Sequence, residues 1–252
     1  MPQPTPELLV AIAAALLLAG FVKGLLGIGL PAIAIGLLAT RIPPAQALAI
    51  VIVPAFLTNV WQTFSGSYLL GILRRLWPLM VGVCLGVVGG AGLLTGPYAR
   101  YAPILLGALL ASYAVLGLGN VRFHVAQTHE KWIGGVVGLV TGFVSASTGV
   151  QVVPSMPFMQ ALGLEKDELI QALGTFFTVV YVALSYNLTS AGLLTHATVL
   201  PGAVALAGAF AGLVVGQLVR AQLDAEAFRK WFLVGVLLLG LYLVASTILR
   251  LA

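Results

Sequence analysis

Acidic residues are almost absent from the apolar body of this sequence. Of 252 residues only seven are Asp or Glu, and all seven (Glu7, Glu130, Glu165, Asp167, Glu168, Asp224 and Glu226) fall in loops or at the ends of apolar segments. Charge of either sign is scarce, at 8% of residues against 60% hydrophobic, and the mean hydropathy is +1.10. A soluble domain carries about 25% charge, so this chain cannot cover a water-facing surface and is read as an all-α integral membrane protein in contact with the lipid bilayer. One cysteine, Cys84, excludes an internal disulfide and a cysteine-clustered metal site. His124, His129 and His196 stand alone, without metal-ligand spacing. There is no P-loop, HExxH or Gly-x-Ser-x-Gly motif and no carboxylate pair within the apolar segments, so neither ATP hydrolysis, enzyme chemistry nor a cofactor is expected. The net charge of +5 comes from 12 Lys and Arg scattered through short loops. That pattern records membrane orientation and does not point to nucleic acid. The start, MPQPTPELL, lacks a basic n-region, so the first apolar segment is expected to be mature structure.

What is present is a set of eight apolar stretches, at 7–40, 45–69, 76–96, 101–119, 132–162, 169–190, 195–219 and 230–249. A spanning helix needs about 20 residues, which six of them match. The first and fifth are too long for one span and too short for two. They are also the interrupted ones: Gly24, Gly27, Gly29 and Pro31 punctuate the first, and Gly142, Ser145, Ser147, Thr148 and Gly149 the fifth.

The chain reads as two copies of a four-segment unit, 1–121 and 122–252. Gly20 and Gly24 match Gly138 and Gly142 at an offset of 118, Ala47-Leu48-Ala49 matches Ala172-Leu173-Gly174 at 125, and Gly82, Gly86 and Gly90 match Gly208, Gly212 and Gly216 at 126. The four-residue glycine spacing is the close-packing pattern of membrane helices. Breaks at corresponding places in two halves point to a transporter binding site. If all eight stretches cross, the loop cations divide five against six. If the first and fifth turn back as hairpins, Arg41, Arg100 and Arg250 lie on one side. Arg74, Arg75, Arg122, Lys131, Lys166, Arg220, Arg229 and Lys230 then lie on the other. Three against eight obeys the positive-inside rule and makes the two halves inverted.

Lys23 is the one charge set well inside an apolar segment, with no acid to accompany it. Intramembrane charge is costly and marks function, and an unpaired cation suits an anion. Gly24, Gly27 and Gly29 let the backbone turn and approach a ligand, and a half-helix starting there offers free N–H groups and a positive dipole end. The alternative is a lysine that snorkels to the headgroups. Ser145, Ser147, Thr148 and Gln151 can donate to an oxyanion without adding charge, or bond their own backbone. Asn59, Trp61 and Gln62 in the second stretch and Asn187 in the sixth line a substrate path or tie helices together. No metal-binding residues are expected.

The order and duplication of these motifs resemble the sulfite exporter TauE/SafE family of bacterial permeases. Gly24-Leu25-Leu26-Gly27-Ile28-Gly29 fits the family's opening motif, and Gly142 with Ser147-Thr148-Gly149 and Pro154 fits a second copy. Ala172-Leu173-Gly174-Thr175 and Asn59-Val60-Trp61-Gln62 fit later ones. Here Leu30-Pro31 stands at the first motif's third glycine, and serines replace glycines in the second. The resemblance implies a multi-pass protein of the bacterial inner membrane that moves sulfite, an organosulfonate or a related small anion, usually outward, by alternating access at the two breaks. Import, a passive anion channel, a non-transporting scaffold and a homodimer remain open at this point.

Overall fold

The computed structural model describes residues 5–119, 124–219 and 225–251. Arg122, Arg220, Asp224 and the 121/122 boundary between the two halves lie outside them. The described residues form ten α-helices and two short 3-10 turns, with no strand among them. The helices are α1 (Pro6–Leu26), α2 (Leu30–Leu38), α3 (Pro44–Phe64), α4 (Leu69–Gly89), α5 (Ala102–Leu118), α6 (Glu130–Thr148), α7 (Ser155–Ala161), α8 (Lys166–Ser190), α9 (Val199–Val219) and α10 (Ala225–Leu251). Seven, namely α1, α3, α4, α5 with its leading turn, α8, α9 with its leading turn, and α10, are long and apolar enough to cross a membrane. Rich in Gly, Ser and Thr, α6 is not among these seven.

Local chemistry sets the helix ends. The Thr5 hydroxyl accepts the Leu8 N–H at 3.3 Å and Pro6 opens α1, a first position where a missing N–H costs nothing. At its other end Gly27 adopts φ 78 and returns its N–H to the Lys23 carbonyl at 2.7 Å. Gly149 ends α6 the same way, with φ 76 and an N–H to Ser145 O at 2.7 Å. This left-handed cap is one that glycine takes without strain. Past each cap the chain runs through a few non-helical residues into a short helix, α2 or α7.

Packing follows the glycines. Parallel α1 and α9 lie so close that a Cβ at Gly212 would strike the Leu17 carbonyl, and one at Gly208 would meet Ala13 and Leu17. Parallel α4 and α6 repeat this: a Cβ at Gly86 would strike the Leu139 carbonyl, and one at Gly82 would meet Gly135 and Leu139. The remaining large pairings are α5 with α10 and α3 with α8, both antiparallel. Ala13 and Leu17 thus play the parts of Gly135 and Leu139, which puts α1 and α6 in register at an offset of 122. The expected offset of 118 is one helical turn short, because both helices carry glycines four residues apart and the sequence match locked onto the wrong turn.

The most enclosed span is α3, and α10 is the least enclosed. Trp61, Trp132 and Trp231 stand outward on the periphery, where a lipid-facing surface is apolar.

Candidate functional site

The site begins where α1 ends. Lys23 is one turn before the Gly27 cap, and its side chain is only 7% exposed. Its ammonium donates to Asn59 Oδ1 at 2.8 Å and Thr58 Oγ1 at 3.1 Å, both on α3. Those partners are themselves held: the Thr58 hydroxyl and the Asn59 amide both donate to the Ala55 carbonyl, at 3.1 and 2.7 Å. An ammonium has three donors, and the third has no partner among the described residues. The only ion pair among those residues is Arg75 with Glu130, in the second turn of α4 and at the start of α6. The charge on Lys23 is therefore buried, fixed by neutral oxygens, and uncompensated. Its contacts are those of a lysine turned into the protein, and the snorkelling geometry is not adopted.

The two breaks differ in their surroundings. Gly27 and Ile28 form part of the wall of a cavity of about 660 Å³ between α1, α5, α7, α8 and α10. Its charged lining is Lys166 and Arg229, and Met156, Gln160, Leu169, Leu173 and Phe232 complete much of the rest. Gly29, at φ 100, precedes α2, whose first turn contains Pro31. Proline has no N–H, so this helix start offers one donor fewer to an anion than a half-helix otherwise would. Gly24 has a different task, since a Cβ there would strike the Leu213 carbonyl of α9. The second break is closed: a Cβ at Gly149 would meet Ile35 of α2 and Leu48 of α3.

The other expected site residues fall into four groups. The hydroxyls of Ser145, Ser147 and Thr148 each donate to the carbonyl four residues back, at 2.6, 2.7 and 2.8 Å. Gln62 donates to the Ile170 carbonyl at 2.7 Å and Asn187 to the Val87 carbonyl at 2.8 Å, tying α3 to α8 and α8 to α4. Trp61 is 77% exposed on the outer surface and away from Lys23. Gln151 is fully buried, and neither atom of its amide group has a hydrogen-bond partner. The structure thus joins Lys23 to Asn59 and brings in Thr58. Thr58 is adjacent to Asn59 in the sequence, and the long lysine side chain reaches both although consecutive helix residues point about 100° apart.

A second, smaller cavity of about 230 Å³ lies between Thr40, Arg100, Ser246 and Arg250. It touches the first turns of α5 and the last of α10, while the larger cavity touches the last turns of α5 and the first of α10. Arg100 and Arg250 therefore sit at one end of the molecule, and Lys166 and Arg229 at the other.

A family model described as sulfite exporter TauE/SafE matches residues 12–243. No curated protein and no solved structure matches the chain.

Proposed function

This chain belongs to the sulfite exporter TauE/SafE family, and on that premise we propose that it is a secondary transporter exporting a small anion, sulfite or an organosulfonate, across the bacterial inner membrane. The observation that carries this reading is Lys23, a buried cation with no carboxylate partner and one donor uncommitted among the described residues. Such a group is complementary to an anion and to little else. Export of one negative charge is favoured by roughly 2.3 kcal/mol per 100 mV, inside negative. Gradients or the potential then supply the energy.

The mechanism is rocking of two inverted halves, 1–121 and 122–252, around Lys23 and the two breaks. Three features support it. The glycine contacts of α1 with α9 recur between α4 and α6. Antiparallel pairing of α3 with α8 and α5 with α10 is what a two-fold axis in the membrane plane produces. Arg100 and Arg250 share one end with Thr40, as two re-entrant hairpins require. The 660 Å³ cavity is then the cytoplasm-facing vestibule of one state, with the first break in its wall and the second break sealed.

The test is uptake of labelled sulfite and of a two-carbon sulfonate into proteoliposomes. Saturable uptake accelerated by unlabelled anion on the far side is expected. Unsaturable flux without counterflow would replace the carrier by a channel. Lys166 and Arg229 at the vestibule mouth should steer the anion inward. Lys166→Gln with Arg229→Gln is expected to raise KM several-fold at low salt and to have little effect at high salt. A salt-independent change would remove them from the path. Single cysteines at Arg41 and Arg75 are expected to react from opposite sides of the membrane, and labelling from the same side would end the hairpin arrangement.

A further inference from the structure

Buried polar groups without partners are rare, because more than nine in ten find a hydrogen bond. Among the described residues the buried side chains that leave such atoms are Thr141, Gln151 and Tyr181. All three belong to the second half, on α6, in the break after it, and on α8. Gln151 and Tyr181 are both fully buried, and they lie beside one another, close enough to interact but outside the geometry of an ordinary hydrogen bond. Together they present a hydroxyl and an amide that make no hydrogen bond of ordinary geometry among the described residues.

Their depth in the molecule ties them to Lys23. On the α3–α8 interface Thr63 meets Thr178 at 3.2 Å, Gln62 bonds the Ile170 carbonyl, and Gln171 bonds the Thr63 and Gly66 carbonyls. The contacts run antiparallel. Asn59 is one turn back from Thr63, and Tyr181 is close to one turn on from Thr178. That course sets Asn59, which holds Lys23, and position 181 at about the same level of the bundle, one from each half.

We infer that Tyr181 and Gln151 form the second-half subsite for the transported anion, donating O–H and N–H to an anionic oxygen whose charge is met by Lys23. The inference rests on the transporter reading and adds a ligand that sequence inspection does not pick out. Neutral donors suit this place. A second lysine would hold the anion too firmly for release, whereas a hydroxyl and an amide fix its orientation without adding to the Coulomb attraction.

The variants Tyr181→Phe and Gln151→Leu keep the volume and remove the donors. The purified full-length protein would be followed by thermal unfolding with and without sodium sulfite or isethionate, and by uptake into proteoliposomes. An unpartnered buried group is a cost to folding, so both variants are expected to unfold in plain buffer no earlier than the wild type. Stabilisation by the anion should shrink by at least half. KM should rise about tenfold, the effect of one ordinary hydrogen bond, with the maximal rate little changed. If either variant loses stability in buffer by several degrees, the group has a structural partner such as a buried water, and the inference is overturned. Anion stabilisation and KM equal to the wild type would overturn it too, while leaving the transporter reading intact. A wild type that neither binds nor carries either anion would remove that reading, and the subsite with it.

Discussion

Lys23→Met is expected to abolish saturable anion transport, a fall of at least ~100-fold, while the protein still folds. A buried charge without a counter-charge is a liability in the resting protein, and removing it relieves that cost, while Asn59 Oδ1 and Thr58 Oγ1 lose the donor that the ammonium gave them, so the two effects on stability oppose one another. Methionine fills the space and leaves Thr58 and Asn59 bonded to the Ala55 carbonyl. What disappears is the charge-assisted bond to the anion, worth about 1.5–3 kcal/mol, together with the attraction that brings an anion into an apolar bundle. Asn59→Leu should weaken transport in the wild type and change little in the Lys23→Met background, because the two side chains act as one unit. Uptake that survives Lys23→Met would move the binding site elsewhere. A protein that fails to fold would show that the lysine is structural.

The second large effect is expected at the helix contacts. Gly212→Leu and Gly86→Leu place side chains where the Leu17 and Leu139 carbonyls already stand. Backbone cannot yield as a flexible side chain does, and overpacking costs typically 1–3 kcal/mol even in forgiving cores. Here a whole helix must move away from its partner, so each variant should consume most of a stability of roughly 5–15 kcal/mol. Little monodisperse protein is expected on size-exclusion chromatography. Gly71 on α4 serves as the control, because a Cβ there meets nothing within 4 Å. Gly71→Ala should be neutral or stabilising by up to about 1 kcal/mol. A monodisperse, heat-resistant Gly212→Leu protein would show that α1 and α9 are not packed on one another.

Much of this molecule is legible in its sequence. The shortage of charge fixes the membrane class, and the glycines at positions 27 and 149 mark helix ends because glycine alone tolerates a left-handed cap without strain. Lys23 and Asn59 are both conspicuous as polar groups in apolar helices, but 36 residues separate them, and no spacing rule says that they touch. Gln62 and Asn187 are equally conspicuous, and they bond backbone carbonyls of neighbouring helices. Composition cannot distinguish that use of an amide from ligand binding. Tyr181 passes unnoticed for the opposite reason: an aromatic ring in an apolar helix is what a core contains, and only the lack of an ordinary hydrogen bond to its hydroxyl sets it apart. The register of α1 against α6 is missed because a four-residue glycine rhythm matches itself equally well one turn away, and contacts with α9 and α4 are needed to choose.

The exchange of partners between the halves has a consequence for how the protein is made. The glycine face of α1 finds its mate only in α9, so Gly20 must wait for Ala209, which it packs against. At roughly 5–20 residues per second of synthesis, that wait is on the order of 10–40 seconds. During it α1 is in the membrane with its closest-packing surface facing lipid or a provisional neighbour. Neither half is a finished object when it leaves the ribosome. Expressed as separate polypeptides, 1–121 and 122–252 should each be cleared by membrane proteolysis and should survive only when produced together.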